Sequence, residues 1–353
     1  MPTATAPLLA PYTSPPPARS LSLITSLLGT TSNWLVLRFL CDALYSSSSL
    51  SVRRRWQEDV EIGIGIEGEG VTIGGREGTM RVVLISFLRG WEFWRTEAKR
   101  LGVDLTKLAN ERKFAFVDGL TELFSSENLH SAPVPTTLRG RPPAAHASRF
   151  ISTARSHPAT HPVPVHQKAS GPTKLHWSKM ANLEALERGV ISAVDNLHGA
   201  AGEEDRVPAT EDVLLVIDQP DMLLAATGPD AGVGALEIKD MIMSLRQHVH
   251  STLVTLAADS PLIHYEEPGT PLEMQHATLV VGMAYQARMV IQLRGLETGV
   301  ARDVSGVLQV NKGTQFMDLS SSRDLGEDYD LEPKEVLYYV QGDGAVRVFG
   351  RGE

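Results

Sequence analysis

Apolar positions along this chain fall into short runs that suit strands and longer stripes that suit helices. Ser20-Leu-Ser-Leu-Ile-Thr25 alternates and predicts a strand, followed by a turn and a helix from about Ser32 to Leu44. Through Trp34, Leu35, Val36, Leu37, Phe39, Leu40 and Leu44 that helix is apolar nearly all round, so it should be buried. Arg81-Val-Val-Leu-Ile-Ser-Phe87 has the continuous apolar run of a parallel strand covered on both faces. In the helix after it Trp91, Trp94, Ala98 and Leu101 form one stripe, and Glu92, Arg95 and Lys99 take the opposite face. Further strands are predicted at Phe114–Asp118, Asp212–Asp218 and Ser251–Ala257, with helices over about Met180–His198, Val233–His250 and Leu272–Ala284. Such alternation is what an α/β sheet requires. Past Ala284 the periods shorten to Met289–Leu293, Val304–Val310, Glu335–Gln341 and Ala345–Phe349, and Gly342-Asp-Gly344 closes the last pair as an antiparallel hairpin.

Three segments fall outside this alternation. Residues 1–18, ending in Pro15-Pro-Pro17, read as a disordered polar leader to a single domain over 19–353. A Gly-rich insertion spans 47–79. It contains Gly63-x-Gly65-x-x-Gly68, the spacing of a dinucleotide-binding turn, but that chemistry needs a strand before it and a helix after it, so that a pyrophosphate can sit on the helix N-terminus. Neither flank is present, and a flexible or hairpin insertion is the better reading. The third segment, 128–178, is a basic His/Pro-rich loop. From Asn128 to Leu183 there is no Asp or Glu, while Arg139, Arg141, Arg149, Arg155, Lys168, Lys174 and Lys179 accompany six histidines. A chain of net charge −9 is not basic all over, yet this stretch supplies one local positive surface. The single cysteine, Cys41, excludes a disulfide framework and a thiolate metal site, which fits a cytosolic or nuclear setting. Ser26, Gly29, Asn33 and Arg38 interrupt the apolar stretch from Leu21 to Leu44, so no membrane span is expected there.

Between the first strand and first helix, a P-loop would read G-x-x-x-x-G-K-[ST]. Here the chain reads Ile24-Thr-Ser-Leu-Leu-Gly29-Thr30-Thr31. Gly29 falls at the second glycine and Thr31 at the magnesium hydroxyl, but Ile24 replaces the first glycine and Thr30 the lysine. Without that lysine, charge stabilisation worth a few kcal/mol, or roughly a hundredfold to thousandfold in rate, is lost. The competing reading is a plain strand-to-helix turn with Ser32 as N-cap. Asp218, after Val213-Leu-Leu-Val-Ile217, has the form of a Walker B carboxylate, although any buried parallel strand ending in Asp looks the same. Glu92 stands either as a water-activating acid or as a helix N-terminal charge. Together Gly29, Thr30, Thr31, Ser32 and Asp218 suggest a nucleotide-hydrolase core with a degenerate P-loop; an active P-loop-type NTPase or kinase is the alternative.

Several blocks carry a resemblance. They are Leu23–Phe39, Leu84–Arg95 with its Trp91-Glu-Phe-Trp94, Lys113–Leu120, Leu214–Gly228 with Gln219-Pro-Asp221, and Leu337–Phe349. With these the chain resembles the Elongator subunit 6 family. That resemblance implies a RecA-like fold without a standard Walker A motif, placed with Elongator subunits 4 and 5 in a heterohexameric ring that binds tRNA. Within the Elongator complex the ring supports modification of the tRNA wobble uridine. The resemblance implies an accessory subunit and no enzyme: no catalytic residue carries over, the nucleotide hydrolysis associated with the ring is not assigned to this chain, and no cofactor or metal is implied. Trp91, Phe93 and Trp94 are candidates for a subunit interface, with core packing as the competing reading. Arg139, Arg141, Arg149 and Arg155 are candidates for tRNA contact, against a solvated linker.

Overall fold

The computed structural model describes residues 6–45, 80–123, 172–175, 182–198, 212–227, 233–264, 269–299, 301–314 and 331–350. In chain order, α1 (Ala10–Thr13) precedes β1 (Leu21–Ser26), α2 (Asn33–Tyr45) and β2 (Arg81–Ser86). Next come α3 (Trp91–Arg100), α4 (Leu105–Asn110), β3 (Phe114–Asp118), β4 (Thr173–Lys174), α5 (Asn182–His198) and β5 (Val213–Asp218). They lead into α6 (Met222–Thr227), α7 (Ala235–Arg246), β6 (Ser251–Ala257), α8 (Ser260–Ile263) and α9 (Pro271–Gln286). The chain then forms β7 (Met289–Arg294), β8 (Gly306–Lys312), β9 (Lys334–Val340) and β10 (Val346–Phe349).

All these strands join one ten-stranded sheet in the order β10-β9-β8-β7-β1-β6-β5-β2-β3-β4. From β7 to β4 neighbouring strands are parallel, and from β7 to β10 they are antiparallel. The apolar runs explain the split. Every residue of β5 is buried, because helices cover both faces of the parallel part, whereas β7 alternates buried and half-buried positions. Side chains from α1 to α4 pack on one face around Trp94, Phe39 and Phe114. On the other face α5, α6, α7 and α9 pack around Val190, Leu223, Ile238 and Met283. This α/β architecture, mostly parallel with antiparallel C-terminal strands, is consistent with a RecA-like fold.

The chain leaves β1 through α2 on one face to reach β2, and returns from β6 through α9 on the other face to reach β7. The carboxyl end of β1 therefore lies at a topological switch point, where open α/β sheets usually bind ligands.

Several expectations change. The leader is packed over residues 6–18: Leu9 and Tyr12 are buried, and the Tyr12 hydroxyl donates to the Glu332 carbonyl at 3.0 Å. Leu8-Leu9 and Tyr12 supply the apolar anchor that the flanking prolines obscured. The helix predicted over Val233–His250 is shorter, because residues 247–250 turn to bring the His250 N–H to the Val213 carbonyl at 2.9 Å and so start β6 in register. The insertion at 47–79 lies outside the described residues, as does 128–178 apart from residues 172–175. There Thr173–Lys174 pairs with β3 as a short strand rather than continuing as loop, and Lys174 forms an ion pair with Glu122. Cys41 is buried in α2, and that burial pushes its thiol up to about 12, leaving an inert side chain at neutral pH.

Candidate functional site

The loop after β1 closes on itself. The Thr30 N–H donates to the Leu27 carbonyl at 2.9 Å, and Gly29 between them has φ 86, the left-handed conformation that a Cβ would disfavour. The Thr30 hydroxyl turns inward as well, donating to the Leu27 carbonyl at 2.7 Å and the Leu293 carbonyl of β7 at 3.3 Å. Leu27 gives its own N–H to Leu293 at 3.0 Å. Leu28 gives its N–H to the carboxylate of Asp259, which follows β6. A phosphate-binding loop works because its backbone N–H groups converge on the anion. Here those of Leu27, Leu28 and Thr30 already have partners, one of them a carboxylate that would repel phosphate. Leu28 stands 90 % exposed at the tip. Thr31 is exposed, whereas Ser32 is buried and its carbonyl accepts the Leu35 and Val36 N–H groups at 3.0 Å, as an N-cap residue does.

Asp218 is fully enclosed at the carboxyl end of β5. Its two carboxylate oxygens accept from Ser86 of β2 at 2.7 Å and from Thr255 of β6 at 2.8 Å. Burial pushes its pKa up; the two hydroxyl bonds and the charge of Arg89 act in the opposite direction. β6 separates β1 from β5, so Asp218 contacts β6 and β2 rather than the loop residues Gly29 to Ser32. Magnesium in a P-loop enzyme is held between the loop hydroxyl and this type of carboxylate. The residues present do not fit that arrangement: both oxygens of Asp218 are engaged by hydroxyls in a closed site, whereas Thr31, at the place of the magnesium hydroxyl, is exposed.

Immediately after Asp218, Gln219 adopts φ 56 and directs its N–H to Thr255, at 3.2 Å from the carbonyl and 3.1 Å from the hydroxyl. Asp221, also buried, accepts from the Ala257 N–H at 3.3 Å and meets His276 Nε2 of α9 at 3.3 Å. The Gln219-Pro-Asp221 block thus ties the end of β5 to β6 and α9. Neither Asp221 nor Asp259 stands out as a site residue in the sequence. Asp221 falls within one of the blocks that carry the resemblance, but nothing local distinguishes Asp259, whose partner is 231 positions away.

The aromatic candidates divide. Trp94 lies in the core at 0 % exposure, so it presents no surface to a partner. Trp91 is half-buried and packs its ring 5.5 Å from Phe116 and 6.3 Å from Phe114. Phe93, also half-buried, meets Trp94 edge-on at 5.5 Å and lies beneath the Arg89 guanidinium, 4.4 Å from its ring centroid. Glu92 is exposed on the first turn of α3 and pairs with Arg95 at 2.5 Å, which is the bland role of a helix N-terminal charge. Arg139, Arg141, Arg149 and Arg155 lie outside the described residues.

Fold and loop together define an α/β protein, consistent with a RecA-like fold, whose switch-point loop has the N–H groups of Leu27, Leu28 and Thr30 tied up within the protein. No family model matches the chain. It resembles Elongator complex protein 6 of Mus musculus, with 24 % identity over 264 residues that cover 74 % of this chain and 80 % of that protein. The resemblance carried by the sequence blocks thus extends over most of the chain. No helix among the described residues is long and apolar enough to cross a membrane.

Proposed function

We propose that this chain is a non-catalytic subunit of an Elongator complex. The observation that carries the reading is the similarity to Elongator complex protein 6 along three quarters of the chain. The geometry after β1 supports the accessory role: in this reading Gly29, Thr30, Thr31, Ser32 and Asp218 are a vestigial nucleotide site, Thr30 stands where the lysine would be, and the N–H groups of Leu27, Leu28 and Thr30 are already engaged. In this reading a single RecA-like domain, which takes in the packed residues 6–18 and carries insertions at 47–79 and 128–178, assembles with Elongator subunits 4 and 5 into a heterohexameric ring. The ring binds tRNA and supports wobble uridine modification, in the cytoplasm and nucleus. Trp91 and Phe93 are its candidate contacts near α3.

Affinity purification of the tagged full chain followed by mass spectrometry should recover the other Elongator subunits, and the purified chain should hydrolyse ATP no faster than a blank. Recovery without Elongator subunits overturns the assignment. ATP turnover by the isolated chain that disappears in a folded Asp218→Asn variant favours the alternative of an active NTPase.

The acid-free basic segment is the proposed tRNA contact. Replacing Arg139, Arg141, Arg149 and Arg155 with Ser in the reconstituted ring should weaken tRNA binding. The logarithmic salt slope should become shallower by about one for each phosphate that the segment no longer neutralises. Equal affinity and slope in the variant ring would make the segment a linker.

A further inference from the structure

Helix α9 has the wrong outer face for water. Its inner side buries His276, Ala277, Leu279, Val280 and Met283 against the sheet and α7. On the opposite side Met274, Thr278, Val281 and Tyr285 recur at helical spacing, and at 3.6 residues per turn they lie within about 60° of one another. Met274 is 42 %, Val281 43 % and Tyr285 65 % exposed. Beyond Glu273 in the first turn, the helix carries no Asp, Glu, Lys or Arg. A helix that meets solvent normally places charges on that side, and one apolar on both sides is normally covered on both.

The patch continues onto α7, which packs beside α9. The Gln275 side chain of α9 accepts the Ala235 N–H at 2.7 Å, and the Lys239 stem runs past Gly282, where an added Cβ would lie 3.6 Å from Lys239 Cδ. Leu236 of α7, 56 % exposed, extends the apolar area. Around it stand Glu237, Asp240 and Glu273 against Lys239, so the rim is acidic. That rim selects the occupant. A second copy, from a chain of net charge −9, would set acid against acid, whereas a different chain with basic side chains around an apolar helix face would be attracted.

We infer that the outer face of α9, with Leu236, docks a neighbouring subunit of the assembly through an uncharged apolar helix face rimmed by Lys and Arg. The inference rests on the Elongator reading. From Met274 to Tyr285 the stripe is about 16 Å long, enough for three turns of a partner helix. It supplies the apolar centre of an interface that must reach about 800 Å² per partner to be stable.

The test is co-expression of the full chain with Elongator subunits 4 and 5, followed by sedimentation analysis, for wild type, the double variant Val281→Glu/Tyr285→Glu, and Asp240→Lys. Expected is a complex with wild type, no complex with the double variant, and at least a tenfold weaker, less salt-sensitive complex with Asp240→Lys, all three chains melting alike when isolated. If wild type assembles and both variants assemble equally well, this surface is not the docking face and the Elongator reading stands. If the double variant does not fold, unchanged affinity of Asp240→Lys overturns the inference on its own. A wild-type homodimer abolished by the double variant would make a second copy the occupant and also overturns it. Failure of wild type to join either subunit sinks the Elongator reading first, and the inference with it.

Discussion

Trp94→Ala is expected to lower the unfolding free energy by about 3–5 kcal/mol, read as a shift of the urea midpoint at unchanged slope. The indole is fully enclosed between α3 and the sheet, in the same apolar cluster as Phe39, Phe114 and Leu84. Its removal forfeits the transfer energy of the ring and leaves a void that rigid strands on one side cannot fill. The edge-on contact with Phe93 at 5.5 Å adds to the destabilisation. The measurement separates the two readings of the Trp91-Glu-Phe-Trp94 block. A change under about 1 kcal/mol together with abolished partner binding would return Trp94 to an interface; a large change places it in the core.

That block shows how far the residues alone could go. The helical spacing of Trp91, Trp94, Ala98 and Leu101 fixes which side of α3 is apolar, and the structure buries the last three of them. Spacing does not say whether the apolar side meets its own sheet or another chain, because both environments reward the same side chains. The strands were legible for a similar reason. Val213–Ile217 and Val82–Ile85 are unbroken apolar runs, and both are buried from end to end. Their order was not legible: placing β6 between β1 and β5 depends on crossovers through α7 and α9, which no local pattern encodes. The short α4 and the two-residue β4 fell below the length at which periodicity separates from noise. In the loop after β1, Gly29 was visible, and its φ of 86 fits a tight turn. What decides the chemistry of that loop is the Asp259 carboxylate on the Leu28 N–H, an interaction made only once β6 lies beside β1.

Asp218 is the residue at which substitution should distinguish a buried structural carboxyl from a working one. Its pKa is raised chiefly by burial, so the folded protein favours the protonated form more than the unfolded chain does. The stability that this preference contributes is complete below the unfolded value of about 3.9 and is lost as pH rises through the folded value. Asn is neutral at every pH. It can accept from one hydroxyl and donate to the other, replacing the bonds to Thr255 at 2.8 Å and Ser86 at 2.7 Å. Relative to wild type, Asp218→Asn should therefore be more favourable at pH 7 than at pH 4, with the difference in melting temperature moving upward across that range. Asp218→Ala offers neither bond. It leaves the Ser86 and Thr255 hydroxyl protons without an acceptor in a closed site, at about 1–3 kcal/mol each, and should melt well below both at pH 7. Thermal melts of the three chains at pH 4 and pH 7 decide the matter. Should Asn prove as damaging as Ala, and more so at the higher pH, the folded chain must be stabilising an ionised Asp218, the state in which a Walker B carboxylate serves magnesium.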